Sequence, residues 1–212
     1  MDFATRMMSL LSDLRRERNG LAADTMKVAG RPCGLNLGVS LPTIKSIACA
    51  QPCDHDFACS LYRQDVRELK IAALCIADPS QVDADTVMFW LGGACNSELA
   101  EMAALLLLSR ASCAGVLTGE RYMYDELSCY AVLMSSARSE AVTVAGVLTA
   151  AERALAMYPD SKYVARGAVA AVVSASRRDN AAARVFVERM RGKPDTASVR
   201  MFVDEAEWQI PG

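Results

Sequence analysis

The apolar residues of this chain recur with a helical period and almost nowhere with the alternation of a strand. Leu69, Ala72, Ala73 and Ile76 fall at i, i+3, i+4 and i+7, as do Ala183, Phe186, Val187 and Met190, and again Val199, Phe202, Val203 and Ala206. That spacing places four side chains on one face of an α-helix. Turn signals separate the periodic segments: NG at 19–20, GRPCGLNLG at 30–38, DPSQVDAD at 78–85, GG at 92–93, TGE at 118–120, YPDS at 158–161 and GKPDT at 192–196. They divide the chain into about ten helices of roughly 9 to 18 residues. AVTVAGVLTAAERALAMY opens on β-branched residues but ends in strong helix formers, and is read as helix. AEMAALLLLS carries Leu105 through Leu108 in succession, so its helix needs neighbours on two sides. Helical pairs stacked in a row supply them, and the expectation is an all-α chain wound as an α-solenoid, an α-α superhelix.

The chain has 212 residues, 52% hydrophobic and 23% charged, enough for one domain spanning residues 1–212 and too apolar for disorder. Without an apolar run of the ~18 residues that cross a bilayer, no membrane partner is expected. MDFATRMMSLLSDLRRERNG has an acid at position 2 and charges every few residues, unlike a secretion signal, so the expected location is cytoplasmic. The eight cysteines are scattered through apolar stretches and read as mostly buried, reduced thiols that pack like small hydrophobes.

ACAQPCDHDFAC, residues 48–59, sets the only histidine, His55, among Cys49, Cys53 and Cys59. Structural zinc wants four ligands, usually as two close pairs such as C-x2-C. Here no second pair follows, so no metal site is expected. The stretch reads instead as a helix start: Pro52 as breaker, Asp54 as N-cap, Phe57 and Leu61 inward together with Cys53, and His55 on the exposed first turn.

NLGVSLPTIKSIA, DHDFACSLYRQDVRELKIAALCIADP and WLGGACNSELAEMA together resemble the bacterial DNA alkylation repair family, the AlkD-like group of HEAT-like repeat proteins. Gly38, Val39, Pro42, Arg67 and Glu68 stand at the places of that pattern, over residues 20 to 110. The resemblance implies HEAT-like helical pairs, double-stranded DNA as partner, and removal of cationic alkylated purines by an N-glycosylase that needs no cofactor. It also implies tryptophans, a carboxylate and an arginine at the site. Trp90 matches one tryptophan; Asn96 stands where the carboxylate is due, Tyr130 where the arginine is due, and Ala170 or a neighbour where the second tryptophan is due. Trp90, Asn96 and Tyr130 are therefore the catalytic candidates.

Each has a plainer reading: Trp90 as packing at a helix end, Asn96 as the N-cap of SELAEMAALLLL. Glu98 and Glu101 offer a replacement acid, though acids suit a first turn anyway. Tyr122 and Tyr124 within GERYMYDE suggest either a recognition surface or amphipathic packing.

Charge gives an independent test, because DNA-binding surfaces are basic. Residues 1–70 hold ten basic against eight acidic side chains, 71–130 two against eight, and 131–212 eleven against nine. Lys27, Lys45, Arg177 and Arg178 are the candidate nucleic-acid contacts. Two functions stand open: a damage-associated DNA-binding protein, which requires a basic groove with Trp90 exposed in it, and a non-catalytic scaffold for a protein partner, which requires Trp90 buried and a neutral or acidic groove.

Overall fold

Ten of the twelve α-helices among the described residues begin at a Ser, Thr, Asp or Asn whose side chain accepts a backbone N–H of the first turn. Each such cap contributes about 1 kcal/mol and fixes where a helix starts. The computed structural model describes residues 2–26 and 30–211. Its helices are α1 (Phe3–Arg16), α2 (Gly20–Thr25), α3 (Leu41–Cys49), α4 (His55–Tyr62), α5 (Arg67–Ile76), α6 (Val87–Gly93), α7 (Ser97–Leu106), α8 (Glu126–Ser136), α9 (Val144–Met157), α10 (Lys162–Ser176), α11 (Asn180–Arg191) and α12 (Ala197–Gln209). Short 3-10 turns fill the stretch between α7 and α8. No strand forms among the described residues, where isolated bridges join Gly30 to Asn96 and Leu35 to Val66. No helix among them is long and apolar enough to cross a membrane.

The three periodic faces read from the sequence are buried in α5, α11 and α12. Helices α3, α5, α7, α8, α10 and α12 pack one on the next as a groove-side layer, with α1, α4, α6, α9 and α11 behind them. This is the expected all-α solenoid of HEAT-like pairs. The fourth groove-side helix, α8, lacks a helix of its own behind it; the 3-10 turns from Leu108 to Tyr122 take that place. Every residue of α8 from Ser128 to Ser136 is buried.

Two local readings differ from expectation. The leucine run is not one two-sided helix: α7 stops at Leu106, and Leu107 leaves helical geometry at φ −129°, ψ −62°. That bend drops Leu107 and Leu108 into the core and leaves Leu105 36% exposed. The cysteines are also less buried than expected. Cys113 and Cys129 alone are fully buried, and Cys49 and Cys53 are exposed, at the end of α3 and in the loop before α4.

Residues 30–39 form a strap across the N-terminal ends of α5 and α7. α5 has no side-chain cap; instead its Arg67 N–H donates to Leu35 O at 2.9 Å, while Leu35 N–H donates to Asp65 O at 3.0 Å. The strap turns at Gly38, where φ is +70° and an added Cβ would lie 2.0 Å from Asn19 O. Only glycine fits there.

Candidate functional site

The strap and the first turns of the groove-side helices enclose a groove lined by Met26, Leu41, Glu98, Glu101, Tyr163 and Arg166, with Met102 and Arg67 alongside. Its floor is an ion cluster. Arg67 donates from Nε and Nη2 to the two carboxylate oxygens of Glu98 at 2.8 and 2.6 Å, and from Nη1 to Glu68 Oε1 at 2.8 Å and Val39 O at 2.9 Å. Glu68 is fully buried and accepts the strap's Leu37 and Val39 N–H groups at 3.1 and 3.3 Å. Burial opposes the Arg67 charge, but the hydrogen bonds and charges of Glu98 and Glu68 outweigh it and hold the guanidinium pKa above its ordinary value. One cation between two carboxylates leaves an excess negative charge at the start of α7, where the helix dipole favours it.

One turn further along α7, Glu101 Oε2 accepts the Tyr130 hydroxyl at 2.8 Å. Tyr130 is 1% exposed; burial first, then the Glu101 carboxylate, raises its pKa, with Arg166 and Arg138 near enough to pull the other way. Tyr163 packs edge-on against Tyr130 at 5.8 Å between ring centroids, and Lys162 Nζ lies 5.5 Å from the Tyr163 ring. Tyr163, Arg166 and Ala170 share one face of α10 by their i, i+3, i+7 spacing. The groove thus offers a fixed carboxylate, a guanidinium and an aromatic edge between apolar walls of Leu41, Met26 and Met102.

Trp90 lies elsewhere. It is fully buried, stacked among Tyr62, Phe89 and His55 at centroid distances of 4.8, 5.1 and 5.6 Å, and its carbonyl accepts the Tyr62 hydroxyl at 2.8 Å. It has no surface to give a ligand, so its candidacy as a DNA contact is corrected: four aromatic rings bury more apolar area together than one exposed indole would. Asn96 is the N-cap of α7, accepting Leu99 N–H at 3.0 Å and donating to Arg31 O at 3.2 Å, 3% exposed. Both of its polar ends are thereby occupied. Tyr130 is buried behind the groove and meets it only through the Glu101 carboxylate that its hydroxyl bonds.

Of the candidate phosphate contacts, Lys27 lies outside the described residues. Lys45, Arg177 and Arg178 are exposed but none lines the groove. Arg177 caps the end of α10, and Arg178 is turned onto Val142 O at 2.6 Å. Glu101, weighed in the sequence as a substitute acid, is brought to the groove; Tyr163 and Arg166 were not singled out, and their shared face with Ala170 is the signal that would have found them. Tyr122 is buried with its hydroxyl 3.3 Å from Ala84 O, and Tyr124 is exposed.

The histidine and cysteine stretch is a helix start. Asp54 caps α4, accepting Phe57 N–H at 3.0 Å, and Phe57 and Leu61 point inward. Cys53 is exposed, against expectation, because it precedes the cap. His55 is half-buried under Trp90, its Nδ1 3.2 Å from Asp78 O, rather than on the surface. No group of three or more potential metal ligands gathers among the described residues.

No family model matches the sequence, and no curated protein does. Among solved structures, the chain is similar over 99% of its length, and 96% of the other's, to a member of a new family of proteins related to the HEAT-like repeat DNA glycosylases with affinity for branched DNA structures. The TM-score is 0.69 and the identity 17%. This chain accordingly has the HEAT-like repeat fold.

Proposed function

We propose that this chain is a DNA-binding protein of the DNA alkylation repair group that engages branched or damaged double-stranded DNA through its groove and does not depend on Trp90 or Asn96 to do so. The observation that carries the reading is the gathering of Glu101, Tyr163 and Arg166 in the groove of a fold shared, end to end, with a protein described as having affinity for branched DNA. Arg166 suits a phosphate, Tyr163 an unstacked base or sugar face. The Glu101 carboxylate suits a positively charged sugar or base. The residues expected at a glycosylase site are otherwise spent on packing and capping, so base release from alkylated duplex is expected at the uncatalysed rate. Any release above it must disappear in Glu101→Gln.

The test is anisotropy binding of a four-way junction, a duplex with an abasic-site mimic and a plain duplex, across a salt series. Tighter binding of the junction or the abasic duplex than of plain duplex is expected, with log K falling linearly against log salt and a loss of about tenfold or more in Arg166→Glu. If none of the three binds at low salt, the DNA reading fails. The second reading, a scaffold for a protein partner, then stands. It is favoured by the buried Trp90 and by the excess of acids over residues 71–130.

A further inference from the structure

The strap is pinned at both ends and carries a cysteine between them. At one end Arg31 N–H donates to Cys95 O at 2.9 Å and Asn96 Nδ2 to Arg31 O at 3.2 Å, beside the bridge from Gly30 to Asn96. At the other, Leu35 is bridged to Val66. Cys33 lies in this span, and the Asn96 Nδ2 atom is 4.0 Å from Cys33 Sγ and 4.0 Å from Cys95 Sγ. Two thiols from segments distant in sequence therefore share one amide nitrogen. Both are free and half-buried, within reach of a small oxidant. Lys70 lies near them, its Nζ held on Tyr62 O at 2.7 Å and Gly93 O at 3.3 Å.

We propose that Cys33 and Cys95 form a reversible dithiol–disulfide site, oxidised by a peroxide, that fastens the strap covalently to the start of α7 beside the groove. The site is independent of what the groove binds. The Lys70 ammonium favours a thiolate in its neighbourhood. Burial, then the Cys95 neighbour, raises the Cys33 thiol above its ordinary value. In the first step the sulfur of one of the two cysteines takes one peroxide oxygen as a sulfenic acid and one water leaves. In the second, the sulfur of the other attacks it, the S–S bond forms as the S–O bond breaks, and the attacking thiol's proton leaves with the hydroxide as a second water. Two thiols are oxidised and the peroxide is reduced to two waters.

The full chain is treated with hydrogen peroxide, alkylated under denaturing conditions, and its intact mass and peptide map are compared with the untreated protein. Expected is the loss of two hydrogens without added oxygen, a peptide linking Cys33 to Cys95, and its reversal by a dithiol reductant. Cys33→Ser and Cys95→Ser each abolish the link, while Cys49→Ser keeps it. Closing so long a loop also raises the Tm of the oxidised wild type by several degrees, and not that of Cys33→Ser. A linked peptide that joins other cysteines, such as Cys49 to Cys75, or oxygen addition without a link, overturns the proposal.

Discussion

Glu68 is held from several sides. Its carboxylate is fully buried, and its charge is answered by Arg67 and two strap N–H groups. Removing the cation strands that charge, so Arg67→Ala is expected to cost ~3–5 kcal/mol in denaturant unfolding. Glu98→Ala, which removes the more exposed partner and leaves the Arg67 to Glu68 bond, is expected to cost less. A loss for Arg67→Ala no larger than for Glu98→Ala sinks this account. Tyr130→Phe takes one hydrogen bond from Glu101, for a loss of ~1–3 kcal/mol. At this scale the sequence was a partial guide. Arg67 and Glu68 both stand in the sequence pattern, but adjacency in sequence says nothing about a third partner 31 residues on. Trp90 carries two readings for a related reason: a large aromatic suits a ligand contact and a core alike, and the rings of Tyr62, Phe89 and His55 decide for the core.

At the scale of elements, the helix starts were legible because they are chemical. Asp54 and Asn96 are residues whose side chains cap, and they do so. What no local pattern revealed is the start of α5, capped by the backbone of Leu35, 32 residues earlier in the strap, or the end of α7 inside a leucine run. The strap depends on Gly38. Gly38→Ala combines left-handed backbone strain of ~1–3 kcal/mol with a collision against Asn19 O, and a clear drop in Tm is expected. An unchanged Tm means that the strap shifts freely and does not determine where α5 begins. Asn96→Ala removes the cap of α7 and its tie to Arg31, for about 1 kcal/mol or more.

Across the whole molecule, solenoid architecture followed from periodicity and turn spacing, whereas the groove did not, since it is assembled from a few residues of each of several helices. Tyr62 and Tyr130 set an alkaline limit on the assembled fold. Both phenols have pKa values raised above the ordinary 10.0, chiefly by burial. A raised folded pKa means that the native state holds its protons longer than the unfolded chain. The stability this confers is complete below about pH 10 and is lost as pH climbs past it. The Tm should hold up to that point and fall beyond it, with a shallower fall in Tyr62→Phe. Equal slopes in wild type and Tyr62→Phe would assign the limit to other groups.

Rows of stacked helix pairs ordinarily come apart piecemeal, because each pair answers only to its neighbours and the ends fray first. The enclosure of α8 works against that habit. With nine consecutive residues hidden from solvent, it is a keel to which planks on every side are fastened. Its amides are expected to exchange with deuterium only when both halves let go together.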